Sequence, residues 1–347
     1  MATDKAHFRL AAIQAAAVPF DREASTRKAC RLIEEAGDKG VTIAAFGETW
    51  LPGYPFFCHA PATALTWRAM AEYLDNAVEI PSPTTDQLCM AAEAAGIDVV
   101  IGIAERDTDS GGTVYCTLLF IGSEGRILGR HRKIKPTFNE RSVWSDGDAV
   151  GLRTYRRSYG RISGLNCWEH NTMLPGYALA AQGTQIHVAA WPGREPAAAP
   201  PSPIPLWPRQ LLLSRAFASQ ASCYVIAVGG MQSHADTPER YRKLSTIEYT
   251  GDSFIIDPRG EVIAGPAQGE TILIADGSRE VVLAAKAVSD IGGHYSRPDI
   301  FHLNIDRRPR LRFSENVGAD DPAHAQSTID QSAFLNGRGG SEGEAQQ

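Results

Sequence analysis

The stretch that decides the fold class is Val41-Thr42-Ile43-Ala44-Ala45-Phe46, which is followed directly by Gly47 and Glu48. A short apolar run that ends at a glycine predicts a strand buried on both faces. Upstream, apolar residues recur with helical spacing over 22–37 and glycines follow at 37 and 40, so we expect a helix that ends there. A helix that leads into a buried strand is typical of an α/β protein.

Outward from this stretch, predicted strands and helices alternate along most of the chain. Two predicted hairpins, with turns at Ser123-Glu124-Gly125 and Pro258-Arg259-Gly260, have similar sequences and hint at two similar halves. Helices between strands, together with hairpins, indicate an α/β fold with mixed sheets. The other predicted strands cover 8–16, 98–104, 114–121, 126–128, 162–166, 185–191, 223–228, 253–257 and 261–264, and the other helices 64–76, 84–95, 173–182 and 208–221. We expect one domain over 1–317 and a disordered, glycine-rich tail over 318–347.

Composition limits the classes of partner. The chain has 347 residues, 43% of them hydrophobic, and a net charge of −6. Nucleic acids and anionic membranes require a basic surface, so neither is expected as a partner. No apolar run approaches the roughly 18 residues that span a bilayer. The segment Met1–Lys5 lacks the apolar core of a signal peptide, which predicts a cytoplasmic protein.

The cysteines and glycines exclude several kinds of site. Six cysteines are widely and irregularly spaced, at positions 30, 58, 89, 116, 167 and 223, so we expect neither disulfides nor a zinc site. The chain has no dinucleotide fingerprint, no phosphate-binding loop and no Gly-x-Ser-x-Gly elbow. The sequence therefore predicts no cofactor and no metal, and the default for each cysteine is a buried apolar side chain.

Three polar residues occupy a common position, the end of an apolar strand. They are Glu48, Lys133 and Cys167. Functional groups gather at strand ends in α/β folds. A carboxylate can take the proton of a thiol, and an ammonium can stabilise both the thiolate and negative charge that develops on the substrate. The three residues together predict a nucleophilic hydrolase in which Cys167 attacks the substrate.

The segments around these residues resemble those of the nitrilase superfamily. The glutamate segment is Phe46-Gly47-Glu48-Thr49-Trp50-Leu51-Pro52-Gly53-Tyr54-Pro55, the lysine segment is His131-Arg132-Lys133-Ile134-Lys135-Pro136-Thr137 with Glu140-Arg141, and the cysteine segment is Asn166-Cys167-Trp168-Glu169-His170. The resemblance covers roughly residues 8–305. Cys-Trp-Glu-His looks like the true nitrilase branch rather than the amidase or carbamoylase branches.

This resemblance implies a four-layer α-β-β-α sandwich with two mixed β-sheets. It implies a nitrile as small-molecule substrate, converted to an acid and ammonia through a thioimidate and a thioester on Cys167. Glu48 would be the general base, Lys133 the electrophilic stabiliser and Glu140 a second glutamate that positions the lysine. It further implies a homodimer that builds larger or spiral assemblies. The residues that it places around the substrate are Tyr54, Phe57, Trp144, Trp168, Glu169, Trp191 and Pro192.

Several alternatives stay open at the level of sequence. Lys135 competes with Lys133 for the catalytic role, Glu140 could be only an ion-pair partner, and the pocket aromatics could be core residues. An amidase, an N-carbamoyl hydrolase or a nitrile or cyanide hydratase would use the same three residues, and an inactive family member would keep the fold. We expect Gly229-Gly230-Met231 to leave a gap beside the site and the Pro/Ala tract 196–203 to form a rim loop. An apolar pocket would favour an arylaliphatic or bulky aliphatic nitrile.

Overall fold

The computed structural model describes residues 6–194 and 206–309. The order of pairing defines two six-stranded sheets and a short two-stranded one, β10-β11. The strands are β1 (His7–Gln14), β2 (Ile43–Phe46), β3 (Asp98–Arg106), β4 (Val114–Ile121), β5 (Ile127–Arg132), β6 (Tyr155–Arg157), β7 (Gly160–Asn166), β8 (Ile186–Trp191), β9 (Tyr224–Gly229), β10 (Met231–Gln232), β11 (Tyr249–Thr250), β12 (Phe254–Ile256), β13 (Val262–Ala264) and β14 (Thr271–Ser278).

Six α-helices connect or flank these strands within the described residues. They are α1 (Arg22–Asp38), α2 (Ala64–Asn76), α3 (Pro83–Ala95), α4 (Met173–Ala181), α5 (Leu206–Ala221) and α6 (Arg279–Val288). Local sequence sets their ends: Ser82 caps α3 in a capping box, and Gly96 ends it in a left-handed conformation. None of the helices in the described ranges is long and apolar enough to cross a membrane.

The two large sheets share one pattern of pairing. The first has the order β14-β1-β2-β3-β4-β5 and the second the order β6-β7-β8-β9-β12-β13. In each, the successive pairs are antiparallel, parallel, parallel, antiparallel and antiparallel. The two hairpins with similar sequences, β4-β5 and β12-β13, occupy equivalent places, so the two similar halves hinted at by the sequence are present.

The layers follow from the alternation of side chains along the strands. On β1, Leu10 and Ala12 lie in a core between the two sheets, while Ala11 and Ile13 pack on the outer side with α1 and α3. On β9, Ile226 and Val228 face the first sheet, whereas Val225 packs towards α5. The order is therefore helices, sheet, sheet and helices, and the prediction of a four-layer α-β-β-α sandwich with two mixed sheets is confirmed.

Most predicted elements are present, with ends that differ by a few residues. The elements that the sequence analysis did not predict are β6, β14 and α6, together with the short strands β10 and β11. β14 pairs only with β1, at the edge of the first sheet, and nearly all of its residues are partly exposed. Its weak alternation explains why it was missed. The predicted tail 318–347 and the Pro/Ala tract 196–203 lie outside the described residues.

Candidate active site

Glu48 lies two residues beyond the end of β2, where the two sheets meet. Its backbone N–H donates to the carbonyl of Trp191 at the end of β8, at 3.2 Å. The approach depends on Gly47, because a Cβ there would lie 2.9 Å from the backbone nitrogen of Gly230. The Glu48 side chain is buried, and its Oε1 forms an ion pair with Lys133, which follows the end of β5. A tight backbone crossing thus places a carboxylate inside the molecule.

Lys133 follows β5, and its ammonium lies between two carboxylates. Lys133 Nζ is 2.7 Å from Glu48 Oε1 and 2.7 Å from Glu140 Oε2. Glu140 belongs to a short 3₁₀ helix, Phe138–Ser142, and its Oε1 accepts a hydrogen bond from the Tyr54 hydroxyl at 3.0 Å. Burial opposes the charge on Lys133, but Glu140 and Glu48 raise its pKa well above the usual range. The ammonium is therefore held charged and fixed in place.

Cys167 follows β7 and adopts a backbone conformation that is rare for a residue with a side chain. Its φ is 48°, in the left-handed region, at the first residue of the 3₁₀ helix Cys167–Asn171. Such a conformation at a non-glycine residue persists only where the surroundings enforce it, and it is concentrated at functional sites. The turn brings the sulfur together with carboxylate oxygens of Glu48 and Glu140, and the three ligand atoms lie within 4.8 Å of one another.

The pKa shifts at the site act in opposite senses on proton transfer from thiol to carboxylate: that of Glu48 favours it and that of Cys167 opposes it. Burial, with a smaller effect from the charge of Glu140, raises the pKa of Glu48 to about 7, although Lys133 lowers it. Burial and Glu48 raise the pKa of Cys167 well above its ordinary value, while Lys133 and the backbone N–H of Trp168 lower it. The thiol is consequently protonated at rest, and Glu48 is a carboxylate whose pKa lies near neutrality.

Glu169 connects the lysine segment to the cysteine segment. Its Oε1 accepts from the backbone N–H of Ile134 at 2.9 Å, and its Oε2 accepts from that of Asn166 at 2.8 Å. His131 Nε2 lies 3.0 Å from Oε2. Burial opposes the charge, but His131 and the two backbone donors hold the pKa of Glu169 below its usual range. Both carboxylate oxygens of Glu169 are therefore occupied by hydrogen bonds within the protein. The sequence analysis predicted instead that Glu169 contacts the substrate.

His170, which is partly buried, and His187, which is fully buried, form a chain of hydrogen bonds behind Cys167. His170 Nδ1 lies 2.8 Å from the carbonyl of Cys167, and its Nε2 lies 3.0 Å from Nε2 of His187. A carbonyl only accepts, so a neutral His170 carries its proton on Nδ1 and accepts from His187. Burial lowers the pKa of His170 to about 4, which keeps it neutral. His170 therefore holds the backbone of the cysteine turn.

The predicted pocket residues divide into those that lie beside the charged groups or Cys167 and those that are buried in the core. Tyr54 contacts Glu140, the Trp144 ring centroid lies 5.5 Å from Lys133 Nζ, and Trp168 is partly exposed beside Cys167. Phe57 is instead fully buried against Phe20 and Tyr73.

Trp191 and Pro192 contribute mainly through their backbone. The Trp191 side chain is buried beside His170, and its indole N–H donates to Ser214. Its backbone carbonyl accepts the hydrogen bond from the N–H of Glu48. Pro192 is also buried, and a Cβ at Gly230 would lie 2.6 Å from the Pro192 carbonyl oxygen.

The expectation of a gap at Gly229-Gly230-Met231 is wrong. Close backbone packing occupies the space: a Cβ at Gly229 would lie 2.3 Å from the carbonyl of Gly251, and one at Gly193 would lie 2.1 Å from that of Gly230. Glycine is required here for contact between strands, so the missing side chains do not widen the site.

Two features of the site had no sequence signal. Cys116 on β4 donates from Sγ to Glu48 Oε1 at 3.4 Å, and its carbonyl accepts from the backbone N–H of Lys133 at 2.7 Å. The link between His131 and Glu169 joins residues 38 positions apart.

Glu48, Glu140 and Cys167 are ligand types that bind metal ions, but the Lys133 ammonium already lies against both carboxylates and supplies the positive charge.

Comparison with known proteins places this site in a family. Residues 9–287 match the family model described as carbon-nitrogen hydrolase. A protein named Nitrilase 2, from an unknown prokaryotic organism, is 54% identical over 310 residues, which cover 88% of this chain and 95% of that protein. An aliphatic nitrilase of Sinorhizobium fredii is 36% identical over 87% of this chain and 97% of its own length.

A solved structure shows the same fold at low identity. The carbon-nitrogen hydrolase of Helicobacter pylori superimposes with a TM-score of 0.66 and 19% identity, covering 82% of this chain and 93% of that one. The chain belongs to the carbon-nitrogen hydrolase family, and it is a hydrolase that acts on carbon–nitrogen bonds. The predicted family and its nitrilase branch are confirmed by these relatives.

Proposed function

We propose that this protein is a nitrilase that converts an organic nitrile to a carboxylic acid and ammonia, with Cys167 as nucleophile. The observation that carries the assignment of roles is the placement of Lys133 Nζ at 2.7 Å from both Glu48 and Glu140, beside the Cys167 sulfur. The relatives named nitrilase support the nitrile over the amide as substrate.

The chemistry begins with proton transfer from Cys167 to Glu48. The thiolate forms a bond to the nitrile carbon, and one electron pair of the C≡N bond moves to nitrogen, which takes up the proton that Glu48 received and gives a thioimidate. Glu48 takes a proton from water as the water adds to this carbon; the nitrogen receives that proton and the one on the new hydroxyl group and leaves as ammonia, so that a thioester remains. A second water releases the acid and restores the thiol. Two waters are consumed for each ammonia and acid formed.

Lys133 has the right number of donors for its role. An ammonium carries three N–H bonds, and two of them are directed to Glu48 and Glu140. The third is left for the substrate nitrogen, where negative charge develops. The backbone N–H of Trp168, which already lowers the Cys167 pKa, supplies a second donor on the cysteine side. Glu140 holds the ammonium and does not take a proton from the substrate.

Glu169 acts as a positioning residue in this proposal. It fixes the backbone N–H of Ile134 and of Asn166, the neighbours of Lys133 and Cys167, through one carboxylate. Glu169→Gln replaces one acceptor oxygen by a donor that faces a backbone N–H. We expect kcat to fall by about 10- to 100-fold with little change in KM, because the reacting groups shift while the substrate contacts remain. Steady-state kinetics with a nitrile checks this, and an unchanged kcat would remove Glu169 from the mechanism.

The lining of the site favours an apolar substrate. Tyr54 and Trp144 lie against Glu140 and Lys133 and pack edge to face at 5.7 Å, and Trp168 follows Cys167 directly. Aromatic walls around a small polar centre suit an arylaliphatic or bulky aliphatic nitrile.

The test of function compares nitriles with their matching amides. Aliphatic, aromatic and arylaliphatic nitriles are incubated with the enzyme, and ammonia, acid and amide are measured. We expect acid and ammonia in equal amounts from a nitrile, with the matching amide inert. Ammonia from the amide alone would assign an amidase, and amide as the main product from the nitrile would assign a hydratase. Either result contradicts the proposal.

Two further proposals concern the cell and the assembly. All six cysteines are free thiols, which fits a reducing cytoplasm, and cell fractionation tests this. The neighbouring helices α4 and α5 expose Met173 (86%), Leu174 (66%) and Leu212 (62%), which fits burial in a homo-oligomer that grows into larger or spiral assemblies. Light scattering during gel filtration measures the mass, and a monomer at all concentrations contradicts the second proposal.

A further inference from the structure

A second buried thiol, Cys116, contacts the general base although the proposed reaction does not use it. Cys116 lies near the start of β4, next to the edge strand β5 of the first sheet, with the side chain fully buried. Period two along the strand puts it on the same face as Leu118 and Phe120, which line the core between the sheets. From there its sulfur reaches Glu48 Oε1 at 3.4 Å.

The two oxygens of Glu48 are in unequal surroundings. Oε1 accepts from Lys133 Nζ at 2.7 Å and from Cys116 Sγ at 3.4 Å. Oε2 is buried and has no hydrogen-bond partner within the described residues. A buried carboxylate oxygen without a donor is costly and is the more basic of the two. The asymmetry leaves one oxygen of the base ready to accept a proton.

We propose that Cys116 is a positioning residue, whose S–H holds Glu48 Oε1 so that Oε2 is the oxygen that takes the proton from Cys167. The proton moves from Cys167 sulfur to Oε2, and Cys116 keeps its own proton throughout. This inference rests on the proposed function, because it assigns a partner to the base of that reaction.

The surroundings of Cys116 keep it a donor. Burial and the nearby Glu48 raise the pKa of its thiol well above the ordinary value, so the S–H persists at the pH of catalysis. Its backbone serves the same centre, since the Cys116 carbonyl accepts from the N–H of Lys133 at 2.7 Å. One residue therefore fixes the base through its side chain and the lysine through its backbone.

The test measures the pH dependence of kcat/KM in Cys116→Ala and Cys116→Ser. Loss of the donor in Cys116→Ala removes a hydrogen bond to charged Glu48, which raises the pKa of the base. We expect the acid limb to move to higher pH and kcat/KM below that limb to fall about 3- to 10-fold, with KM little changed. Cys116→Ser keeps an O–H donor, and its acid limb should return towards that of the wild type.

Controls separate a lost donor from a lost thiol or a poor fold. Cys223→Ala removes another fully buried thiol, on the outer side of the second sheet, and should leave the pH profile unchanged. Thermal unfolding of each variant reports any packing defect. An acid limb that stays in place in Cys116→Ala, or that moves equally in Cys116→Ser, overturns the role of Cys116. Failure of the proposed function shows differently, as full nitrile turnover in Cys167→Ala.

Discussion

The two six-stranded sheets have the same order of pairing but contribute differently to the site. In the first sheet, Glu48 follows β2 and Lys133 follows β5. In the second, the strands equivalent to β2 and β5 are β8 and β13, and these end at Trp191 and Ala264. The second half instead places Cys167 after β7, whose equivalent in the first half, β1, is followed by Ala15.

This difference shows how a repeated scaffold acquires one site. In the proposed mechanism, the first half supplies the acid–base and electrostatic groups, and the second supplies the nucleophile. The halves meet where the N–H of Glu48 reaches the carbonyl of Trp191 and Gly47 packs on Gly230. The chemistry therefore depends on residues just beyond strand ends and on a tight contact between the sheets.

The largest expected effect comes from the contribution of the second half. Cys167→Ala should lower kcat by at least about 10⁴-fold, because in the proposed mechanism the covalent intermediate forms on its sulfur. Cys223→Ala removes another buried thiol, just before β9 of the same sheet, and should keep full activity. Ammonia release from a nitrile measures both. Comparable losses in the two variants would show that the sheet is disturbed and would not identify a nucleophile.

The base in the first half gives the next effect. Glu48→Gln should lower kcat/KM by about 10²- to 10⁴-fold, since an amide cannot take the thiol proton. In the wild type, Glu48 must be deprotonated to act and its pKa is about 7. Activity is therefore complete above that value and falls as pH drops through it, by about tenfold per unit. A flat profile from pH 5 to 8 would contradict the assignment of the base.

The two lysines of the first half provide a matched pair. Lys133→Ala removes the buried ammonium between two carboxylates and should lower kcat by about 10²- to 10³-fold. Lys135 is 60% exposed and pairs with Asp146, so Lys135→Ala should be nearly silent, with a change in stability of about 0–1 kcal/mol. Kinetics on both variants decides which lysine is catalytic. An inactive Lys135→Ala would show that the catalytic lysine is two positions further along the chain than proposed.

The contact between the halves gives the smallest effect on chemistry and a measurable one on stability. A methyl group at Gly47 would meet Gly230 nitrogen at 2.9 Å and Trp191 oxygen at 3.0 Å, both backbone atoms. Gly47→Ala should therefore destabilise the fold by about 1–3 kcal/mol. Gly112→Ala, where the nearest atom is 3.9 Å away, should have little effect. Thermal unfolding compares the two, and equal changes would remove the special role of this contact.

The parts of the molecule that the sequence revealed are those encoded locally. The buried run 41–46 became β2, and similar turns at 123–125 and 258–260 became equivalent hairpins. Glu48, Lys133 and Cys167 were found because each follows an apolar strand, and the three segments together resemble one family. Helix α3 was predicted nearly to its ends, since the residues that cap it, Ser82 and Gly96, directly precede and follow it in the sequence.

The parts that were not found depend on distant contacts. Cys116 lies 68 positions from Glu48, and nothing in its own segment marks it as a neighbour of the base. Glu169 was assigned to the substrate, but only the fold shows that His131 and two backbone donors occupy its oxygens. Gly230 suggested empty space, whereas the backbone of Trp191 and Pro192, at the end of the neighbouring strand β8, fills it. The pattern of apolar residues in the sequence identifies a strand or helix, but the contacts of its side chains depend on how the elements pack together.

The most direct test is to find the covalent intermediate. The enzyme is mixed with a nitrile that it turns over, quenched in acid during turnover and digested, and the cysteine-containing peptides are weighed by mass spectrometry. We predict an added thioimidate or thioester on the peptide that contains Cys167, and none on the peptide that contains Cys116. Turnover without an adduct on Cys167, or an adduct on Cys116 in its place, would contradict the account.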